Sequence, residues 1–215
     1  MPPLKSLTSG CSKALCASAV CARPIGYMKT LQEQLQSAGL QVMGCCESLD
    51  SDGTDLLQIA PLLQDMTPAE ATILVQAMLR IRAEAGQVMI REGEAGEWML
   101  LVLKGSVDVT KRIVVPTPGT ATHAVPEAPA AVSRVAVIPR GGTLGEMSML
   151  DSEPRFSTCT AIEAVEAGVL GRQAIGVLIR DHPGVGAKLL VKITQLMAQR
   201  LRNASHQLVK LLREK

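Results

Sequence analysis

The hydrophobic positions between residues 86 and 171 alternate with polar ones or form short β-branched runs, and glycines interrupt them at short intervals. This pattern is typical of strands rather than helices. Five segments are predicted to be extended: 88–92, 98–104, 106–111, 132–138 and a longer stretch over 158–171. Many short strands joined by glycine turns favour a small antiparallel roll or barrel.

The segments before this region have helical spacing. Short helices are predicted over 28–40 and 56–63. The run Thr67-Pro68-Ala69-Glu70 then forms a capping box with proline at the first helical position. The apolar face behind this box includes positions from Ile73 to Ile81.

Helical spacing returns after the strands. A helix over 173–181 is expected to end at His182-Pro183, and a long helix is expected from about Gly186 to the last residue. The fold class is therefore predicted as α+β: an antiparallel β-roll, resembling a jelly-roll barrel, flanked by N-terminal helices and a long C-terminal helix.

The same pattern suggests a domain organisation. Residues 1–27 are expected to be a disordered tail, and 28–55 a short helix followed by a Gly/Ser/Asp-rich linker. The folded domain is expected over 56–215. Within it, 112–131 contains four prolines and little charge, which indicates a flexible insertion in a hairpin.

The long C-terminal helix has an apolar stripe of its own. Its hydrophobic positions step by three and four residues, in the manner of a coiled coil. A small roll cannot cover a stripe of this length, so we expect part of the helix, 186–215, to pair with another chain as a homodimer. From Arg172 onward there are nine Lys or Arg against two Asp or Glu, which suits either a solvated helix or an acidic partner.

Composition excludes several classes of function. The chain has one Trp, one Tyr and one Phe, too few for a stacking platform for single-stranded nucleic acid. Its six cysteines form no CxxC pair, so a zinc site is not expected. The three histidines, His123, His182 and His206, fall in separate predicted elements and form no catalytic or metal-binding cluster. An enzyme is therefore not expected.

Location can also be predicted from the sequence. Residues 1–22 match a signal peptide poorly because Lys13 interrupts a short run rich in Ala and Ser. No run approaches the ~20 apolar residues of a membrane span. We therefore expect a cytoplasmic protein, not bound to a membrane, with reduced thiols.

The chemistry is concentrated in residues 144–158. Gly145 allows a close backbone approach, and a short helical turn after it could present N–H groups to an anion. Arg155 supplies a planar guanidinium suited to phosphate. Glu146 disfavours phosphate, so it is expected to accept hydrogen bonds from sugar hydroxyls. An acid and an arginine nine residues apart form an arrangement of nucleotide size.

This segment closely resembles the phosphate-binding cassette of the cyclic-nucleotide-binding domain, the family of the catabolite activator protein, protein kinase A regulatory subunits and cyclic-nucleotide-gated channels. The family pattern is roughly Phe-Gly-Glu-Leu-Ala-Leu, a few residues, then Pro-Arg-Ala-Ala-Thr. Gly145, Glu146, Pro154, Arg155 and Thr158 match it in register. The resemblance covers about residues 56–215, as a stand-alone domain of the bacterial type.

The resemblance implies roles for individual residues. Glu146 would bind the ribose 2′-hydroxyl and Arg155 the cyclic phosphate. Backbone groups near Gly145, Met147, Ser148 and Phe156 would complete the cradle, with the Ser157 hydroxyl nearby. Asn203 or Ser205 on the last helix would reach the base, and Ser205 could come from the second copy of a dimer.

Three positions depart from the family pattern. Leu144 replaces Phe, which is a mild change in the core, and Ser148 replaces Ala. Phe156 follows Arg155 where family members usually have Ala, Ser or Thr, so it could crowd the pocket and it weakens the case for cGMP. The resemblance thus implies a non-enzymatic sensor with cAMP as ligand and no other cofactor.

Three alternatives remain at this point. Glu146 and Arg155 could pair with each other on an empty loop, leaving a degenerate domain that serves as a dimerisation or interaction scaffold. A transcription regulator of the activator family is a further alternative. Those regulators continue past the long helix into a helix-turn-helix module. This chain reaches Lys215 at the end of the helix, so sequence-specific DNA binding is not expected.

Overall fold

The structure is a computed structural model, and it describes residues 31–46, 55–113 and 131–213. The helices are α1 (Leu31–Ser37), α2 (Leu56–Ile59), α3 (Pro68–Gln76), α4 (Glu146–Asp151), α5 (Arg172–Asp181) and α6 (Pro183–Arg213). The strands are β1 (Gln41–Cys45), β2 (Leu79–Ala83), β3 (Val88–Ile90), β4 (Trp98–Lys104), β5 (Val107–Ile113), β6 (Ala131–Ile138), β7 (Thr143–Leu144), β8 (Thr158–Ala161) and β9 (Val165–Gly171). The predicted tail over 1–27 and most of the predicted insertion over 112–131 lie outside the described residues.

The strands form two antiparallel sheets. One has the order β1-β2-β9-β4-β7 and the other the order β3-β8-β5-β6. The predicted α+β class with an antiparallel roll is confirmed. The pairings among the described strands do not show closure into a barrel.

Strand β4 shows how the two apolar clusters of the core are divided. Leu100 and Val102 face a cluster inside the roll, together with residues of β2, β5 and β9. Leu101 and Leu103 face a second cluster, which lies between the five-stranded sheet and the helices. Because β4 is covered on both faces, its sequence is a continuous apolar run rather than an alternating one.

The predicted capping box is present at the start of α3. The Thr67 hydroxyl accepts from the Glu70 N–H at 3.3 Å, and the Glu70 carboxylate accepts from the Thr67 N–H at 2.8 Å. The prediction was wrong at the other end of the apolar face, since Ile81 belongs to β2, which pairs with β9. Alternate residues of β2 are buried, and short apolar runs do not distinguish a strand from a helix.

The predicted linker over 28–55 contains a strand. Strand β1 pairs with β2 from Gln41↔Arg82 to Cys45↔Leu79. Leu35 of α1 is fully buried in the cluster inside the roll. The roll therefore includes residues before the expected boundary at 56, because its edge strand is defined by a pairing that local sequence does not reveal.

The two C-terminal helices pack on the second cluster. Helix α6 begins at Pro183, three residues earlier than predicted. The inner half of this helix packs on the cluster through the buried residues Val185, Leu189 and Ile193. Every residue from 201 to 213 is exposed. Among the described residues, no helix combines the length and apolar character needed to cross a membrane.

The cysteines differ in state. Cys45 is disulfide-bonded, whereas Cys46 and Cys159 are free and buried. The expectation of reduced thiols is therefore wrong for Cys45. Burial raises the pKa of the Cys159 thiol to about 11, so this thiol stays protonated at neutral pH.

Candidate functional site

The predicted cassette connects the two sheets. Its first strand, β7, pairs with β4 in the five-stranded sheet, and its last strand, β8, pairs with β3 and β5 in the other. Between them, Gly145 adopts a left-handed conformation with φ of 78° and precedes α4. The segment is therefore held at both ends by strand pairing, which fixes the backbone from which its functional side chains extend.

Arg155 is buried, with 4% of its surface exposed. Its Nη1 donates to the Gly145 carbonyl at 2.7 Å, and its Nη2 donates to the Trp98 carbonyl at 2.8 Å. The guanidinium carbon lies 4.4 Å from the centre of the Trp98 ring, within range of a cation–π contact. Burial lowers the pKa of Arg155 to about 10, so the side chain remains charged at neutral pH.

Two glycines make room for this guanidinium. A Cβ atom on Gly96 would lie 2.4 Å from Arg155 Nε and Nη2, and one on Gly145 would lie 2.6 Å from Nη1. The close approach predicted for Gly145 is therefore present. The role of Gly96 was missed, although its position in a glycine-containing turn before β4 was visible in the sequence.

Glu146 is also buried, with 1% of its surface exposed. Its Oε1 forms an ion pair with Arg200 of α6. Arg200 also donates to Thr143, to the carbonyl at 2.5 Å and to the hydroxyl at 3.3 Å. The other carboxylate oxygen, Oε2, is buried and has no hydrogen-bond partner within the described part of the chain.

The cassette acid and arginine do not pair with each other. Arg155 bonds to backbone carbonyls, and no Asp or Glu oxygen in the described ranges lies within 4.0 Å of its guanidinium nitrogens. Glu146 bonds to Arg200 instead. The alternative of a simple Glu146–Arg155 ion pair is therefore wrong.

The neighbouring cassette residues take different positions. Ser148 is buried with 3% exposed, whereas Met147 is 42% exposed. The Phe156 ring is 55% exposed and lies 4.0 Å from Lys111 Nζ, which also donates to the Phe156 carbonyl at 2.7 Å. Arg155 is buried and the Phe156 ring is exposed, so the two neighbouring side chains point in opposite directions. The Ser157 side chain bonds to Cys159.

The two predicted base-contacting residues on α6 are not brought to the cassette. Asn203 accepts from Gln199 at 3.1 Å, and the Ser205 hydroxyl donates to the Leu201 carbonyl at 2.9 Å. Both side chains are exposed. The α6 residue that does reach the cassette is Arg200, and only the basic character of the helix hinted at it.

The arrangement suits an anion next to a hydroxyl donor. A buried cation with no direct ion pair among the described residues favours an anion, and a buried carboxylate oxygen with no hydrogen-bond partner there favours a donor. Within the described residues, no three His, Cys, Asp or Glu side chains come together as a metal site.

Comparisons with known proteins agree with this geometry. A cyclic nucleotide-binding domain from Methylobacillus flagellatus superimposes with a TM-score of 0.67 at 26% identity, covering 86% of this chain and 96% of that one. A CRP-like cAMP-activated global transcriptional regulator from Mycobacterium tuberculosis is 24% identical over 158 residues, 74% of this chain and 62% of the regulator. A cAMP-dependent protein kinase regulatory subunit from Eremothecium gossypii is 30% identical over 118 residues, 55% of this chain and 22% of the subunit.

The chain matches only part of each of these curated relatives. It covers less than two thirds of the mycobacterial regulator, and a match to the lysophospholipase nte1 of Aspergillus fumigatus, 27% identical, covers 8% of that enzyme. No protein-family model matches the chain. On this basis the chain is similar to the cyclic-nucleotide-binding domain family.

Proposed function

We propose that the protein is a non-enzymatic sensor that binds a cyclic nucleotide, with cAMP as the ligand, in the cassette over 144–158. One observation carries the proposal. Arg155 and Glu146 are both almost fully buried in the cassette, yet among the described residues Arg155 forms no ion pair and Glu146 Oε2 has no hydrogen-bond partner. A cyclic sugar-phosphate supplies both an anion for Arg155 and a hydroxyl for Glu146.

Each end of the ligand has its own group in this proposal. Arg155 holds the cyclic phosphate, because a guanidinium binds phosphate oxygens through charge-assisted hydrogen bonds. Glu146 Oε2 accepts from the ribose 2′-hydroxyl while Oε1 stays paired with Arg200. The remaining contacts with the ligand come from the backbone groups of Met147, Ser148 and Phe156 and from the Ser157 hydroxyl.

The Arg200–Glu146 pair gives the site a connection to α6. A ligand that bonds to Glu146 changes the environment of the carboxylate that anchors this helix. It can shift the position of α6 only by the difference between its affinities for the two helix arrangements. Asn203 and Ser205 would reach the base only in a different position of α6 or from a second copy. The output would then pass to a separate partner.

The proposal includes a homodimer formed by the outer half of α6. Leu201, Ala204, Leu208 and Leu211 form an exposed seam with coiled-coil spacing. The flanking positions within 201–213 are Ser205, Gln207 and Leu212, so no like charges would meet across a parallel seam. The charged residues Arg202, Lys210 and Arg213 lie away from it.

Sedimentation equilibrium at micromolar concentration tests the dimer. The full chain is expected to have the mass of two copies, and Leu208→Glu is expected to reduce it to one, because a charge at the seam must be buried without a partner. Val191→Glu, at a position that is 54% exposed on the inner half of α6, is the matched control. A wild-type chain that remains a monomer at micromolar concentration would overturn the dimer.

Isothermal titration calorimetry tests the ligand. The wild type is expected to bind cAMP more tightly than cGMP. It is not expected to bind 5′-AMP, whose phosphate is an acyclic monoester rather than a cyclic diester. Arg155→Ala should weaken cAMP binding by about 30-fold or more, since removing one partner of a buried charge pair typically costs 2 kcal/mol or more.

The control variant is Arg91→Ala, which removes an exposed arginine paired with Glu94 and should leave affinity unchanged. Absence of heat with every cyclic nucleotide in the wild type would favour the alternative, a degenerate domain that acts as a scaffold. Binding that survives Arg155→Ala would place the ligand elsewhere. Location in the cytoplasm stays a prediction.

A further inference from the structure

Arg172 contacts the cassette from outside the cradle. It is the first residue of α5, and its guanidinium donates to the Met149 carbonyl at 2.7 Å, the Ser152 hydroxyl at 2.8 Å and the Ser148 carbonyl at 3.4 Å. All three acceptors lie at the C-terminal end of α4. Carbonyls at that end favour a cation, and the Ser148 carbonyl also accepts from the Ser152 N–H at 3.1 Å. Arg172 therefore fixes the helix whose first residue is Glu146.

The same side chain also contacts the loop that holds Arg155. Arg172 Nη1 lies 3.5 Å from Glu97 Oε1, and the Arg172 backbone N–H donates to the Glu97 carbonyl at 2.9 Å. Glu97 sits between Gly96, which packs against the Arg155 guanidinium, and Trp98, whose carbonyl accepts from it. The supports of both cradle side chains therefore meet at Arg172, although its bonds reach neither Glu146 nor Arg155 directly.

Arg172 is joined to the C-terminal helices through its own helix. Ile175 and Leu178 of α5 lie in the same apolar cluster as Val185 and Leu189 of α6. A displacement of α4 or of the Glu97 loop would therefore be passed through Arg172 to α5, and through the shared cluster to α6. The Arg200–Glu146 pair is a separate connection, which acts near the middle of α6.

We propose that Arg172, through its contacts with α4 and Glu97, is a positioning residue that couples occupancy of the cassette to α5 and α6. The inference rests on the proposed function, because it needs a ligand in the cassette. The coupling is assigned to the Arg172 guanidinium, whose several N–H donors contact both α4 and Glu97. A single ammonium group can satisfy only part of this set, so lysine should restore part of the coupling.

Hydrogen–deuterium exchange of the full chain, with and without saturating cAMP, tests the coupling. In the wild type, cAMP is expected to slow exchange in the cassette and to change exchange in α5 and α6. In Arg172→Met, the cassette should still be protected, while the response of α5 and α6 should fall by about fivefold or more, the lower end of ordinary allosteric coupling. Arg172→Lys should give an intermediate response.

Arg180→Met is the matched control, because Arg180 lies on the same helix but pairs only with its exposed neighbour Asp181. An undiminished helix response in Arg172→Met, or an equal loss in Arg180→Met, would overturn the inference. If Arg172→Met does not fold, Arg172→Lys decides, and a response equal to that of the wild type would overturn it. A wild type that shows no protection by any cyclic nucleotide would remove the proposed function, and this inference with it.

Discussion

Glu146 and Arg155 lie nine residues apart in one cassette and are about equally buried, but they are held in different ways. Arg155 is fixed by the roll itself, through the carbonyls of Gly145 and Trp98 and the face of the Trp98 ring. Glu146 is fixed by one side chain, Arg200, which comes from the long C-terminal helix.

In the proposed function, this difference means that the two ends of the site are held by different parts of the fold. The end of the site that would hold phosphate depends on strands and tight turns, so it is in place regardless of α6. The end that would hold the sugar depends on where α6 lies. A ligand that bridges both ends would connect a rigid part of the domain to the one helix whose outer half is fully exposed.

The larger effect is expected from a substitution that displaces Arg155 while leaving that residue itself unchanged. Gly96→Ala should displace the guanidinium, because the added methyl would lie 2.4 Å from two of its nitrogens. We expect cAMP affinity to fall by about 30-fold or more, the loss of a hydrogen bond to a charged group of roughly 2 kcal/mol. Calorimetry gives the affinity, and thermal unfolding shows whether the fold is kept.

The control for this variant is Gly176→Ala in α5, where an added methyl meets nothing within 4 Å. It should leave affinity unchanged and stabilise the helix by roughly 0.5 to 1 kcal/mol. Equal affinity in Gly96→Ala and the wild type would mean that the fixed position of Arg155 does not matter for binding.

A smaller effect is expected from a substitution that removes the ion-pair partner of Glu146. Arg200→Gln removes the charge that orients the carboxylate, so the bond from Oε2 to a 2′-hydroxyl should weaken. We expect the affinity for cAMP to fall by about tenfold and that for 2′-deoxy-cAMP by about threefold or less, since one hydrogen bond to a charged group contributes about 1.5 kcal/mol. Parallel titrations with the two ligands measure the ratio.

Arg202→Gln serves for comparison, because Arg202 lies on the same helix and bonds only to Gln199. It should change neither affinity. An equal loss for both ligands in Arg200→Gln would mean that Arg200 anchors α6 but does not orient Glu146 toward the sugar.

Local signals predicted the cassette well and the edges of the fold poorly. The Thr67–Glu70 box and the strand 98–104 were correct because each depends on residues adjacent in the chain. Strand β1 was missed within the predicted linker because its pairing with β2 joins residues about 35 to 40 positions apart, and β2 was missed because its apolar spacing also fits a helix. Arg200 and Gly96 were missed because their partners, Glu146 and Arg155, are more than 50 residues away.

The sequence by itself determined the antiparallel roll over residues 86–171 and the identity of the acid and the arginine in the cassette, because these follow from turn chemistry, periodicity and a spaced local motif. Only the tertiary structure decided what surrounds those two side chains. It placed α6 against Glu146, a glycine turn against Arg155, and Arg172 between their supports. Such contacts depend on how distant segments pack, and no pattern within one segment specifies them.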